Sequence, residues 1–166
     1  MDAIYEVHGL TKRYGRTAAL NGVDFAVTPG KLVGLLGPNG SGKTTLMKIS
    51  AGLLQPTAGS GIIDKVPVGV FTKAVTSYLP DRMALPTEFT ADDAVSLYAD
   101  FFTDFDKVKA NAMLADLHIG GRDKIDSMSK GTQEKMQLCL TMSRAARLYL
   151  LDEPLGGVDP AARDYI

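Results

Sequence analysis

The first 36 residues alternate short β-like runs with turns, which is typical of strands in an α/β protein. The apolar run KLVGLL at residues 31–36 predicts a buried parallel strand. A helix is expected to follow over residues 46–54, and the Gly- and Pro-containing segments 28–30 and 55–61 predict turns. The runs predicted to form strands in this half of the chain are 4–8, 23–27, 31–36, 61–64 and 75–79.

The pattern changes to a helical period near residue 86. Thr90 and Asp93 form a capping-box pair, Gly120-Gly121 ends a second helix, and a third helix begins after Ser129. The positions that repeat at helical spacing are Ala94, Leu97, Tyr98 and Phe101, then Ala110, Met113, Leu114 and Leu117, then Met136, Cys139, Leu140 and Ser143. An apolar strand returns at residues 148–151. The sequence therefore predicts an α/β core interrupted by a helical insert over about residues 86–128.

Composition narrows the function classes. The chain has 166 residues, 45% of them hydrophobic, and a net charge of −1, which indicates an ordinary globular domain rather than a protein that binds nucleic acid. The single cysteine, Cys139, excludes an internal disulfide and favours a reducing compartment. No apolar run approaches the roughly 20 residues that span a bilayer, so we expect any membrane role to depend on a partner.

A glycine-rich segment carries the strongest chemical signal. Residues 37–45 fit the pattern G-x-x-x-x-G-K-[ST] between a predicted strand and a predicted helix. Glycines let the backbone wrap around an anion, while Lys43 would reach the β- and γ-phosphates and the Thr44 hydroxyl would hold Mg²⁺. The alternative, a Gly-rich turn with a solvated lysine, is disfavoured because both flanks also fit. The candidate phosphate ligands are Gly37, Asn39, Gly40, Ser41, Gly42, Lys43, Thr44 and Thr45.

Two carboxylates follow the last predicted strand. Asp152 and Glu153 come directly after the apolar run 148–151, at the carboxyl end of that strand. Asp152 is placed to bind Mg²⁺, and Glu153 to polarise a water against the γ-phosphate. An acidic loop after a core strand is the plainer interpretation, and the phosphate loop makes it the weaker one.

Four further segments make the chain resemble the nucleotide-binding subunit of ATP-binding cassette (ABC) transporters. Lys12-Arg13-Tyr14-Gly15 is similar to the aromatic loop of that family, and Tyr78-Leu79-Pro80-Asp81 stands in the place of its Q-loop. Met128-Ser129-Lys130-Gly131-Thr132-Gln133 resembles the signature Leu-Ser-Gly-Gly-Gln, and Leu155-Gly156-Gly157-Val158-Asp159 follows where the family carries its D-loop. The resemblance covers nearly the whole chain.

The resemblance implies a fold and a division of the chain. We expect a P-loop NTPase core, with a RecA-like sheet and an N-terminal antiparallel β part, and an inserted helical subdomain. Residues 1–85 would form the first part of the ATP-binding core, 86–146 the helical insert with the signature helix, and 147–166 the second part of the core.

It also implies roles for single residues. Tyr14 would stack on adenine, although a strand-edge tyrosine is a serious alternative. Ser129 and Gly131 would contact the ATP of an opposite subunit, Ser129 also being placed to N-cap its helix, and Asp159 would lie at the shared interface. Asp81 replaces the usual glutamine near the metal or the attacking water. The implied catalytic residues are Glu153, Lys43 and Asp81, and the implied metal ligands are Thr44, Asp152 and Asp81, with ATP and Mg²⁺ as cofactors.

The implied partners are a second nucleotide-binding subunit, in a two-ATP sandwich, and a transmembrane permease subunit, at the cytoplasmic face of the cell membrane. We expect an ATPase subunit of a bacterial transporter, an exporter by the style of its Q-loop region. Alternatives are a nucleotide-binding module with little hydrolysis and an ABC ATPase acting on DNA or ribosomes. A P-loop kinase or GTPase would lack the Ser129 segment.

One element of the family has no counterpart in the sequence. The switch histidine lies a few tens of residues after the Asp-Glu pair, and the only histidines here, His8 and His118, stand elsewhere and are expected to be surface or structural residues. Ala161 to Ile166 reads as a helix cut off midway. We therefore expect a C-terminally truncated cassette that binds Mg-ATP but hydrolyses it poorly.

Overall fold

The structure is a computed structural model that describes residues 2–154. The chain divides into two units, Met1–Ser77 and Tyr78–Ile166. The predicted D-loop and the predicted helix at 161–166 lie outside the described residues.

An antiparallel sheet dominates the first unit. Its strands are β1 (Tyr5–Tyr14), β2 (Thr17–Val27), β3 (Ala58–Ile63) and β4 (Val66–Pro67), in the order β2-β1-β3-β4. Every neighbouring pair is antiparallel, with Tyr5 opposite Val27 on one side and Ile63 on the other. The strands predicted at 4–8, 23–27 and 61–64 are therefore confirmed.

The burial pattern of β1 shows where the strand is irregular. Tyr5 and Val7 are buried and His8 is exposed, as the two-residue period of a strand requires. Leu10 is also buried, which breaks the period, because a register shift falls between Val7 and Leu10. Gly9 sits in that shift at a φ of 55°, and its N–H donates to a carboxylate oxygen of Asp24 at 2.7 Å. His8 and His118 are both exposed, in agreement with the expected surface positions.

The strand predicted at residues 31–36 is wrong. Within the described part of the chain these residues belong to no strand or helix, and Leu32 and Leu36 are 101% and 92% exposed. A strand is held by hydrogen bonds to a neighbour, and neither described sheet includes this segment. An apolar composition therefore did not suffice to form the strand.

The first helix, α1 (Lys43–Ser50), begins and ends earlier than predicted. Leu46 and Ile49 are buried on one face, and the Tyr5 hydroxyl hydrogen-bonds that of Ser50. Gly52 has a φ of 68°, and its N–H donates to the carbonyl of Ile49 at 2.9 Å. This left-handed turn ends the helix, because few other residues adopt it without strain.

Helices dominate the second unit. They are α2 (Ala91–Phe101), α3 (Lys107–Asp116) and α4 (Lys130–Met142), with a 3₁₀ turn at Ile125–Ser127 before α4. A two-stranded sheet pairs β5 (Thr76–Leu79), which starts at the end of the first unit, with β6 (Leu148–Leu151). A further 3₁₀ turn, Phe71–Ala74, precedes β5. The three helices predicted for this unit and the strand at 148–151 are confirmed, but α3 ends at Asp116, before the Gly120-Gly121 pair that was expected to end it.

The three helices enclose the core of this unit. Its buried members are Ala91, Ala94, Val95, Ala110, Leu114, Ile119, Ile125, Met136, Cys139 and Leu140. Phe101 does not join them as its spacing predicted, since it is 74% exposed. The helix ends there, and the Phe102 ring packs against that of Tyr98 at a tilt of 52°, with ring centroids 5.4 Å apart. In the described range of residues 2–154, no helix is long and apolar enough to cross a membrane.

Candidate functional site

The glycine-rich loop of the first unit has a conformation that only glycine fits well. Gly40 and Gly42 have φ angles of 79° and 93°, in the left-handed region. A Cβ at Gly42 would lie 2.3 Å from the carbonyl oxygen of Ala19, which no real contact allows. Gly42 is also the N-cap of α1, and its carbonyl accepts from the N–H of Leu46 at 2.8 Å. The loop therefore leads straight into a helix N-terminus, where an anion is favoured.

Lys43 bridges this loop. Its ammonium group donates to the carbonyls of Gly37 at 2.8 Å and Pro38 at 2.9 Å. The positive charge is thus held beside the backbone that would surround a phosphate, and these carbonyl contacts can be exchanged for phosphate oxygens. Thr44 and Thr45 occupy the next two positions of the helix.

Tyr14 lies at the end of β1 and is 52% exposed. The ammonium group of Lys12 is 5.3 Å from the ring centroid and also donates to the carbonyl of Gln55 at 2.7 Å. Because Tyr14 is half-exposed, a flat group can stack on its ring, and the nearby ammonium group adds a positive charge at this surface. The adenine contact of Tyr14 stays a prediction.

In the second unit Asp152 is buried at the end of β6. It is 4% exposed, its N–H donates to the carbonyl of Leu79 at 2.9 Å, and the Tyr78 hydroxyl donates to its carboxylate at 3.5 Å. Burial raises the pKa of Tyr78 far above its usual value, and the charges of Asp152 and Asp81 raise it further. The phenol therefore keeps its proton as a donor to Asp152.

Asp81 and Glu153 line one cavity of about 350 Å³ in this unit, together with Lys130 and Gln137. Glu153 is exposed and has a φ of 51°, a left-handed conformation uncommon for a residue with a side chain. Two of the three predicted carboxylates thus share a cavity, while Asp152 is buried. Among residues 2–154 no group of three or more His, Cys, Asp and Glu side chains could hold a metal ion by itself.

Ser129 caps the helix that carries the signature segment. Its hydroxyl accepts from the N–H of Thr132 at 3.2 Å and lies 2.8 Å from the Thr132 hydroxyl. The predicted N-cap is confirmed, and Gly131 follows in the first turn of α4. Lys130, which replaces a signature glycine, lies 3.7 Å from Glu134 on the same helix.

Sequence analysis missed two residues that organise this unit. Gln137 is 3% exposed on α4 and hydrogen-bonds the loop that contains Asp81. Arg144 is 4% exposed and pairs with Asp104. The only indication in the sequence was that Gln137 and Arg144 lie at helical spacing from Leu140 and Thr141, which are on the buried side of α4. Spacing does not show which groups such polar side chains bind.

Comparisons with known proteins agree with this arrangement. The family model described as ABC transporter matches residues 20–156. The chain is 31% identical over 172 residues to the probable multidrug ABC transporter ATP-binding protein YbhF of Escherichia coli (strain K12), covering 98% of this chain and 30% of that protein. It is 30% identical over 166 residues to the Nod factor export ATP-binding protein I of Rhizobium etli, covering 95% and 52%. The chain thus spans about half or less of these curated relatives.

Solved structures show the same fold. A putative ABC transporter ATP-binding protein from Pyrococcus furiosus matches with a TM-score of 0.83 and 26% identity over 96% of this chain and 80% of that one. The dimeric MJ0796 cassette, described as a bacterial ABC transporter cassette, matches with a TM-score of 0.84 over 96% and 78%, and its 22% identity supports the fold alone. The predicted fold class, an α/β P-loop NTPase, is confirmed. Because the family match covers most of the sequence, the chain belongs to the ABC transporter family as an ATP-binding subunit.

Proposed function

We propose that this chain is the ATP-binding and ATP-hydrolysing subunit of a bacterial ABC exporter that powers a separate membrane subunit. The observation that carries ATP binding is the glycine-rich loop that leads into the N-terminus of α1, with Lys43 held across the loop backbone. The names of the two relatives, which refer to multidrug transport and Nod factor export, support the direction of transport. In this arrangement the ATP-binding core comprises residues 1–85 and 147–166, and the helical insert residues 86–146.

Different residues would bind the phosphates, the adenine and the metal ion. The loop N–H groups and Lys43 hold the β- and γ-phosphates, and Tyr14 stacks on adenine. Oxygen ligands suit Mg²⁺, which Thr44, Asp152 and Asp81 would hold, and the Tyr78 hydroxyl lies 3.5 Å from the buried carboxylate of Asp152. When bound, Mg²⁺ neutralises charge that develops on the phosphates.

Glu153 is the proposed general base. It is exposed and lines the same cavity as Asp81, so its carboxylate can accept a hydrogen bond from a water directed at the γ-phosphate. Ser129 and Gly131 would contact the ATP of a second nucleotide-binding subunit, through a helix N-terminus that favours phosphate. The other proposed partner is a transmembrane permease at the cytoplasmic face of the membrane, and no nucleic acid is involved.

Replacing the loop lysine tests the proposal. Lys43→Ala should weaken Mg-ATP binding about 10- to 150-fold, since hydrogen bonds to charged groups contribute roughly 1.5–3 kcal/mol. Lys48→Ala is the matched control, because Lys48 is an exposed lysine on the same helix. Binding is measured by titration with a fluorescent ATP analogue. Equal affinity in the Lys43 variant and the control would refute the phosphate-loop assignment.

A second comparison separates hydrolysis from binding alone. Phosphate release by the unsubstituted chain is compared with release by Glu153→Gln, at ATP concentrations that saturate both. The proposal expects the variant to bind ATP normally and to lose at least 10²-fold in turnover, the lower limit for general-base help. Equal turnover in both would remove Glu153 from the mechanism. Binding without turnover in either would favour a nucleotide-binding module.

A further inference from the structure

Gln137 joins the signature helix to the loop that carries Asp81. Its amide nitrogen lies 3.4 Å from the carbonyl oxygens of both Pro80 and Arg82, and its amide oxygen accepts from the N–H of Ala84 at 3.3 Å. The side chain is buried on α4, with 3% of its surface exposed. Each contact is longer than a typical hydrogen bond, but all of them go to one five-residue segment.

The backbone of that segment has few other attachments, while its Met83 and Leu85 side chains pack against the core of this unit. Among the described residues, the backbone N–H groups of residues 81–85 make no hydrogen bond to another backbone group. Asp81 and Arg82 are exposed, and their side chains are 3.9 Å apart. A loop without a backbone ladder depends on side chains for its position. Met83 and Leu85 supply apolar contacts to the core, and Gln137 supplies the hydrogen bonds from a rigid helix.

The helix connects this link to a second part of the site. Ser129 caps the N-terminus of α4, and Gln137 lies two turns further along, about 12 Å by the rise of an α-helix. A displacement of Ser129 therefore moves Gln137 with it, and the Asp81 loop follows through three hydrogen bonds.

We propose that Gln137 is a positioning residue for Asp81, fastening the Asp81 loop to the signature helix so that Ser129 and Asp81 move as one body. The proposal rests on the proposed function, in which Asp81 helps to hold the metal and Ser129 contacts the ATP of a second subunit. The alternative is a buried glutamine that only satisfies the core. The two roles predict different results when Asp81 is replaced. Only a positioning role makes the effect of Gln137 on ATP and metal binding depend on Asp81.

Hydrogen exchange of single amides tests the contacts without any substitution. In the unsubstituted chain the amide of Ala84 should exchange more slowly than those of Met83 and Leu85, by about fivefold or more for one hydrogen bond. In Gln137→Met that protection should disappear while the amides of α4 stay protected. Equal exchange at the three amides of the unsubstituted chain would overturn the proposal.

Gln133→Met provides the matched control for exchange. Gln133 lies one turn earlier on α4, and its amide donates to the carbonyls of Ile125 and Met128, not to the Asp81 loop. This variant should leave the protection of Ala84 unchanged. A loss of protection at Ala84 equal to that in Gln137→Met would indicate general loosening of α4 and count against a specific link.

A double-mutant cycle tests the functional half of the proposal. The measured quantity is the gain in ATP affinity on adding Mg²⁺, compared with EDTA, by equilibrium titration. Asp81→Asn and Gln137→Met should each reduce this gain, and the double variant should reduce it no more than Asp81→Asn alone. Additive reductions would overturn the positioning role. If the unsubstituted chain binds no ATP, the proposed function fails, and the exchange measurement still decides whether Gln137 holds the loop.

Discussion

Replacing Arg144 should destabilise the helical unit more than any surface substitution. The Arg144 side chain is 3% exposed, and its guanidinium donates to both carboxylate oxygens of Asp104 at 3.0 and 3.2 Å. The central carbon of the guanidinium lies 3.9 Å from the centroid of the Phe102 ring. Removing one partner of a buried pair typically costs 3–5 kcal/mol, because the other charge stays uncompensated. The Asp104 side chain is 22% exposed, so water compensates part of it. We therefore expect Arg144→Met to lose about 3 kcal/mol.

The neighbouring backbone explains why this loss would spread. The N–H of Asp106 donates to the carbonyl of Ser143 at 2.8 Å, and the N–H of Ala145 donates to the carbonyl of Asp104 at 2.9 Å. The Tyr149 hydroxyl also donates to the carbonyl of Arg144. These contacts fasten the connection between α2 and α3 to the segment that leads from α4 into β6. Loss of the ion pair would therefore loosen the approach to Asp152.

Equilibrium unfolding in urea, followed by circular dichroism, measures the loss. Lys65→Ala is the control, because Lys65 pairs with Asp2 at 2.9 Å but both side chains are at least three-quarters exposed, and such pairs contribute about 0–1 kcal/mol. The double variant Arg144→Met, Asp104→Leu should recover part of the loss, since no charge is left alone. A loss in Arg144→Met no larger than in Lys65→Ala would refute the assignment.

Three further predictions follow from single contacts. Thr90→Ala should lower the free energy of unfolding by about 1 kcal/mol, since Thr90 and Asp93 cap α2 reciprocally, and an unchanged melting temperature would contradict this. Burial raises the pKa of the Cys139 thiol to about 11, so only about one thiol in a thousand is ionised at pH 8, and a thiol reagent should label the native chain slowly and the unfolded chain quickly. Tyr78→Phe should raise the Mg²⁺ concentration needed for half-maximal ATP binding, and an identical titration would remove Tyr78 from the support of Asp152.

The features that the sequence predicted correctly are local. The capping box of α2 joins residues three apart, and the cap of α4 is likewise made by Ser129 and Thr132. The helix period of the insert and the two-residue period of β1 also need only short windows of sequence. Such signals are strong because the contacts that they report lie within one or two turns of the chain.

Contacts between distant parts of the chain could not be read in this way. Arg144 and Asp104 are 40 residues apart, and Gln137 and Ala84 are 53 apart. Each side chain alone is an ordinary polar residue near the end or middle of a helix. Its partner is fixed only when the helices pack, so the sequence identified the buried face of α4 but not the hydrogen bonds that this face makes.

The segment at residues 31–36 and Gly42 both show that a local sequence pattern does not reveal contacts with distant parts of the chain. The apolar run satisfied every local requirement of a buried strand, yet strand formation requires a paired neighbour, and the described sheets do not include it. From the sequence, a glycine at position 42 was explained by the close approach of the backbone to a phosphate. The structure adds an independent reason, because the Ala19 carbonyl occupies the space that a side chain would need. The loop glycine is therefore required by packing before any nucleotide binds, so damage caused by a larger residue at this position cannot by itself be assigned to lost phosphate contacts.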